Sequence, residues 1–584
     1  MTARADLHVH SKHSSQPSEW ILRRFRAPES YTEPLEIYRL CRERGMDFVT
    51  ISDHDAISGA LEIAHLPGTF LSSEVTVEFP EDGCEIHCLV LGLDEAQHRE
   101  IQRLRRNIYE FRDYLREQDI LHSVAHPLFR VNDRLTLGQV EKLLVLFNRF
   151  EALNGIHDRR ANGLVRSIFG GLTRGVLADL AERHRLEPMD ATPWIKTFTG
   201  GSDDHGGFYI GTTWTQTPAA ATVEDYLAHL RAGRQEPGGE TGSSLRLVQS
   251  LYGIAWEYYR RQFPALLGNR KDPFAELLRG LAHPEGHAAA RTDAGREEEP
   301  GGFRERLAKV VIFPGARRSP DPAAEPADRR TFAAAGRAQR ESLSSLVEGL
   351  VRHLRRGRLA ESLSALTHLA PLALSAAPYL VALQAQHKDA DLLEAAARRF
   401  LGRAPEGDRP GKVAWFTDTL PAAGLGGDWR REASVLTCDR GKTPPHLAVR
   451  SFEALLEIPL PDGGPPLRVP PILEMLDTCE RERYSEIVIS TPGPVGLAGL
   501  AAGKLLGIRR NLLFHSGFHG GLLRQLTGSP AMTGMAWAYL RWFCGQMDRV
   551  RVDGRELRDE LVARGFDAGL FANFSNRRFE QRLP

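Results

Sequence analysis

Two histidines one residue apart, His8 and His10, stand in the opening stretch "ADLHVHSKHSS", and His13 follows three residues later. On a strand, residues i and i+2 face the same side, so His8 and His10 point together while Leu7 and Val9 face away. Further candidates end or interrupt later apolar runs. Asp53, His54 and Asp55 follow "FVTIS", Glu74 lies within "FLSSEVTV" and His87 within "EIHCLVLGL". His126 sits in "LHSVAHP", and Asp203 and His205 end "FTGGSDDH". Imidazoles mixed with carboxylates suit Zn, Mn or Fe better than they suit an all-oxygen Mg or Ca cage. A single such histidine is ordinarily a satisfied core group, whereas a series at successive apolar runs reads as one metal centre.

The elements around these residues have to bring them together. Short apolar runs alternate with helical patterns such as "EPLEIYRLCRERG", where Gly45 is a plausible C-cap. That alternation over residues 1–235 predicts a parallel sheet or barrel, and functional groups at strand ends are how a (β/α) barrel assembles a site on one face. Asp53 and Asp55 flank His54 and could orient its imidazole or move a proton. Arg130 follows "AHPLF", and Arg159 and Arg160 follow "LNGIHD"; each could grip a phosphate in bidentate fashion or be a surface arginine.

In order and spacing, "DLHVHSKHS", "TISDHDAISG", Glu74, "AHP" and "GGSDDH" resemble the motifs of the PHP (polymerase and histidinol phosphatase) family. The resemblance implies a distorted (β/α)7 barrel with two or three divalent metals that hydrolyses phosphoesters. Carried over, His8, His10, Glu74 and Asp203 would hold the first metal, the family's Asp-x-His selecting Asp203 over Asp204. Glu74 would bridge to a second metal completed by His87 and His126, and His54 and His205 would hold a third. Ser15 and Gln16 stand where relatives place a further ligand for that third site, which leaves it weak or absent unless His13 substitutes.

At 584 residues the chain is expected to hold roughly three or four domains. Lys plus Arg and Asp plus Glu number 75 each, so global charge points to neither nucleic acid nor an anionic membrane. No apolar run reaches the roughly 18–20 residues of a spanning helix. Six scattered cysteines without paired spacing argue for a reducing, cytoplasmic setting. A helical extension is expected over 243–286, a linker over 287–337 and a helical segment over 338–402.

A second alternating region opens near 411. "FTDTLPAAGLGG", "STPGPVGLAG", "FHSGFHGGLLRQLTG" and "DRVRVDG" resemble the N-terminal half of family 4 glycosyltransferases, which have the two-lobed GT-B fold. The resemblance implies a Rossmann-like lobe over 411–584 that receives a sugar acceptor, with Gly424, Gly426, Gly427, His515 and His519 near it. His515 and His519 could equally be a structural pair. The chain ends before a second lobe could fit, so a separate nucleotide-sugar-binding lobe is an expected partner. The leading expectation is a metal-dependent phosphoesterase acting on a small phosphorylated or sugar substrate. The alternatives are a glycosyltransferase with an accessory barrel and a non-catalytic metal-binding scaffold.

Overall fold

The computed structural model describes residues 2–14, 28–262, 279, 328–340, 343, 369–402, 412–420, 433–441, 448–458, 466–514, 530–552 and 554–571. The chain divides into two compact units, Met1–Ala334 with Lys388–Glu406, and Ala335–His387 with Gly407–Pro584.

The first unit contains strands β1 (Thr2–Ala5), β2 (Ser72–Phe79), β3 (Cys84–Leu91), β4 (Leu121–Val124), β5 (Arg149–Asn154), β6 (Thr197–Gly201), β7 (Thr213–Pro218) and β8 (Glu236–Gly239). They form two sheets, ordered β2-β3-β4-β5-β6 and β1-β7-β8. Beyond β1 the chain stays extended, and Val9 bridges Asp204 in parallel. The Ser52 amide donates to the Val9 carbonyl at 2.9 Å, and Val49 and His54 bridge Thr69 and Glu74. These links lead from β6 through residues 6–10 and 49–54 to β2, closing a circuit of extended segments.

The expected all-parallel alternation breaks at β3, which runs antiparallel to both β2 and β4. Only residues 80–83 join β2 to β3, too few for the crossover a parallel pair requires. Within this hairpin Thr76 pairs with His87 and Glu74 with Leu89, so Glu74 and His87 share one face. On the other face Val75, Val77 and Ile86 join Phe111, Phe147 and Phe150 in the main core. Each such buried side chain contributes about 1.5–3 kcal/mol, which pins the register that keeps Glu74 and His87 together.

One piece of this unit comes from far along the sequence. Helix Ala390–Leu401 buries Leu392, Leu393, Ala396 and Ala397 in the same core, and Arg399 Nε donates to Glu141 Oε1 at 2.9 Å. The segment expected as one helical piece over 338–402 is therefore shared between the two units. Residues 328–337, expected as the end of a linker, are helical. Helix Ser244–Gln262 lies within the expected helical extension.

The second unit holds strands β9 (Val413–Phe416), β10 (Ala433–Thr437), β11 (Ala448–Ser451), β12 (Leu456–Ile458), β13 (Leu467–Val469), β14 (Glu486–Ile489), β15 (Arg509–Phe514) and β16 (Arg549–Val552). Six of them form a sheet ordered β11-β10-β9-β14-β15-β16, every pair parallel. This is the doubly wound Rossmann order, whose direction of growth reverses between β9 and β14. Trp415 and Phe416 of β9 are fully buried, as befits a central strand. Among the described residues no helix is long and apolar enough to cross a membrane.

Candidate metal centre

The carboxylate of Glu74, fully buried on β2, is the hub of the site. Its Oε2 lies 3.1 Å from His8 Nε2, 3.2 Å from His10 Nε2 and 3.2 Å from His54 Nδ1. Its Oε1 lies 2.9 Å from His87 Nδ1 and 3.2 Å from His126 Nε2. Asp203 Oδ1 is 3.3 Å from His8 Nε2, 3.4 Å from His10 Nε2 and 3.6 Å from His205 Nδ1. All eight residues expected as ligands thus converge, and the two oxygens of Glu74 face different imidazole sets.

Local backbone makes the convergence possible. A Cβ on Gly201 would sit 2.3 Å from His8 Cβ, so only glycine lets β6 approach the 6–10 segment. Asp203 and His126 hold φ of 53° and 27°, left-handed values that non-glycine residues adopt at a cost of about 1–3 kcal/mol. Surrounding hydrogen bonds offset that strain: the Asp203 amide donates to the His8 carbonyl, and the His126 amide to Glu151 Oε2 at 3.0 Å.

Three imidazoles are held by one nitrogen and present the other. His8 Nδ1 meets Glu151 Oε1 at 2.9 Å, His10 Nδ1 meets Ser14 Oγ at 3.0 Å, and His205 Nδ1 meets the Asp203 carbonyl at 2.9 Å. Among the described residues, the Nε2 atoms of these three rings are buried without a hydrogen-bond partner, as are Glu74 Oε2 and His87 Nδ1. Leaving so many buried polar atoms unmatched is costly in a protein interior, and histidines that bind metal through one ring nitrogen usually have the other held by a carboxylate, carbonyl or hydroxyl. Among the described residues, five groups of three such side chains place their ligand atoms within 4.8 Å of one another. These imidazole nitrogens and carboxylate oxygens are a donor set that could hold a metal ion.

Electrostatics agree. Burial alone would depress His8, yet Asp203, Glu74 and Glu151 hold it well above the usual range. His54 is pushed up to about 10, the fields of Glu74 and Glu29 overcoming its burial. Burial works to raise Glu74, but His8, His87 and His54 carry it well below the carboxylate range. His157 and His205 are depressed by burial, to about 3 and about 4. Positive charge packed around shared carboxylates is what a metal cluster would replace.

Several expectations need correction. Arg130 does not face the cluster: its fork grips Asp391 Oδ1 and Oδ2 at 2.6 and 2.9 Å. Asp55 accepts from the Thr76 amide at 3.0 Å and lies 3.4 Å from Arg105, so it braces β2. Asp53 accepts from the Ser11 amide and hydroxyl, both at 2.7 Å, and from Ser14 Oγ at 2.9 Å, so its carboxylate acts on the cluster through Ser14, which meets His10 Nδ1 and the His54 amide, while its carbonyl accepts from the Glu74 amide. His13 turns outward to Glu62 Oε1 at 2.7 Å. The carboxylate beside the expected third site comes instead from Glu29, whose Oε2 lies 3.2 Å from His54 Nε2 and whose Oε1 lies 3.8 Å from His205 Nε2. Gly424, Gly426, Gly427, His515, His519, Ser15 and Gln16 lie outside the described residues.

Sequence reading also missed Glu151 and His157. Glu151 interrupts the apolar run of β5, a signal that was available, since a buried carboxylate in a strand needs partners. His157 Nε2 lies 3.7 Å from Asp203 Oδ2 and groups with His126.

At the Rossmann crevice, Asp418 follows β9. Its Oδ1 accepts from the Val495 amide at 2.9 Å and its Oδ2 from Thr491 Oγ1 at 2.5 Å, which closes the N-terminus of helix Pro494–Leu505. Residues 430–572 match Glycosyltransferase Family 4. That part of the mixed α/β second unit is accordingly glycosyltransferase-like. A curated relative, the uncharacterized protein MJ1587 of Methanocaldococcus jannaschii, is 36% identical over 67 residues, 12% of this chain and 37% of that protein. The chain thus spans about a third of that relative's length. Among solved structures, PsfC of Pseudomonas syringae PB-5123 aligns at 15% identity over 45% of this chain and 98% of its own, with a TM-score of 0.26. A protein of Bifidobacterium adolescentis, named provisionally as a metal-dependent phosphoesterase, aligns at 16% identity over 35% and 88%, with a TM-score of 0.20.

Proposed function

We propose that the first unit is a distorted (β/α)7 barrel of the PHP type that hydrolyses a phosphoric ester by metal-activated water. The observation that carries this reading is the set of buried, unmatched ligand atoms of His8, His10, His87, His205 and Glu74. His8, His10, Glu74 and Asp203 would hold one divalent ion, Glu74, His87 and His126 a second, and His54, His205 and Glu29 a third. Zn, Mn or Fe bound there supplies a water with its pKa lowered from about 15.7 towards about 7, together with positive charge for the phosphoryl oxygens. The protein's own part is to fix the ligating nitrogens through Glu151 and Ser14 and to shut bulk water from the floor of the site, where His8, His10 and Glu74 are fully buried.

The family 4 match favours a sugar-related substrate, and it supports a second reading in which sugar transfer is the main activity and the barrel is an accessory. Elemental analysis of the purified chain beside a His8→Ala/His10→Ala variant tests the first reading. Two or three transition metals per chain, reduced in the variant, with Mn- or Zn-dependent hydrolysis of p-nitrophenyl phosphate, is the expected result. No metal after reconstitution would sink the hydrolase reading and leave sugar transfer as the better guide.

A further inference from the structure

The loop after His126 is held by residues that arrive from beyond the whole middle of the chain. We propose that Lys388, at the point where the chain re-enters the first unit, is a positioning residue that latches this loop and thereby fixes the His126 and His157 side of the metal centre.

The contacts form one continuous stack. Lys388 Nζ lies 4.3 Å from the centroid of the Phe129 ring, donates to the Arg130 carbonyl and reaches Asp133 Oδ1 at 3.1 Å. The Phe129 ring in turn packs 4.3 Å from the His157 ring and 5.5 Å, edge-on, from the His126 ring. Neighbouring bonds secure the same loop: the Arg130 amide donates to Asp389 Oδ2 at 3.1 Å, and the Arg130 fork holds Asp391. The position matters because His126 begins this loop at a strained φ of 27°. Such a conformation persists only where its surroundings over-determine it. On the upstream side Glu151 does this; on the downstream side 388–391 hold Phe129 and Arg130, next to His126, while Asn132 ties the far end of the loop to the Gly83 carbonyl and the Glu85 amide. An ammonium over an aromatic face and a partly buried backbone carbonyl make a directional contact, suited to fixing a ring's place.

The latch deepens the metal-centre reading and rests on it, but its structural half can be tested without metal. In metal-free protein, hydrogen exchange over 126–133 is expected to rise in Lys388→Met and stay near the parent rate in Lys388→Arg, which keeps the cation. In metal-loaded protein, Lys388→Met is expected to lose one ion to a chelator about 10-fold more readily while the ion at His8, His10 and Asp203 stays put, the size of effect seen when a residue that holds a metal ligand in place is removed. Unchanged exchange in Lys388→Met would overturn the latch. So would equal weakening of every ion with a lowered Tm, because that marks general destabilisation. If the parent protein binds no metal, the hydrolase reading fails, and the exchange result still decides whether the loop is latched.

Discussion

The two strand-end regions of this chain place carboxylates in opposite situations. At the end of the first unit's circuit, Glu74 is surrounded by five imidazoles, several with a buried nitrogen that has no hydrogen-bond partner. At the Rossmann switch point of the second unit, Asp418 has both oxygens matched, one by a helix amide and one by a threonine hydroxyl. Glu74 is buried and Asp418 half-buried, and both sit where their folds place sites. The difference is that one acid is matched within the protein, whereas around the other, among the described residues, buried ring nitrogens and a carboxylate oxygen are left unmatched. Saturation, more than residue type, separates a structural acid from a ligand.

The largest effect should come from Glu74→Gln. Removing the shared charge leaves His8, His10, His54, His87 and His126 without their common anion, so metal content should fall by more than one ion per chain. The metal-free variant should lose about 3–5 kcal/mol, the range for stripping one partner from a buried charge set. Elemental analysis and chemical unfolding check both. Retention of full metal content would break the contrast with Asp418.

Glu151→Gln should act more mildly, because Glu151 touches no proposed ion. It keeps the size but weakens the anchor on His8 Nδ1, and metal affinity should fall about 10–100-fold while the fold stays intact. Competition against a graded chelator reads this directly.

Metal-free protein should also show a distinctive pH response. His54 is raised from 6.5 to about 10, so the stability its protonated form lends is fully present below pH 6.5 and is lost as pH climbs towards 10. His205 is depressed to about 4 and does the reverse, costing stability as pH falls from 6.5 towards 4. Ligation needs neutral imidazoles, so metal loading should abolish the alkaline decline. Thermal unfolding between pH 6.5 and 10, with chelator and with Zn or Mn, tests this; parallel curves in the two conditions would count against a metal centre.

Much of the first unit's site was legible because strand ends leave marks. His8-x-His10, Glu74 within an apolar run and Asp203-x-His205 each show in one dimension which groups share a face. What was hidden depended on long-range placement. Glu29 follows a stretch with no strand periodicity, and nothing local ties it to His54. Arg130 looked like a phosphate grip because its partner, Asp391, lies 261 residues away. The antiparallel β3 was implicit in the short link after Phe79, but alternation of runs does not record direction. In the second unit the alternating runs do form a parallel sheet, and the order that puts Asp418 at the reversal arises only from pairing.

Asp418→Asn should then give the smallest change, and it sharpens the comparison most. Burial raises the carboxyl of Asp418, with the Thr491 hydroxyl and nearby amides pulling the other way, so its charge is poorly favoured in place. An asparagine can still accept from the Val495 amide, and its second group loses only the Thr491 hydroxyl bond. Loss of a helix cap typically costs about 0.5–2 kcal/mol, and this partial loss should fall near 1 kcal/mol, read by chemical unfolding of the full chain. Metal content should not move. A much larger loss, or a loss confined to sugar-dependent activity with stability unchanged, would show that Asp418 serves a ligand after all, and that a carboxylate matched within the protein can still belong to a site.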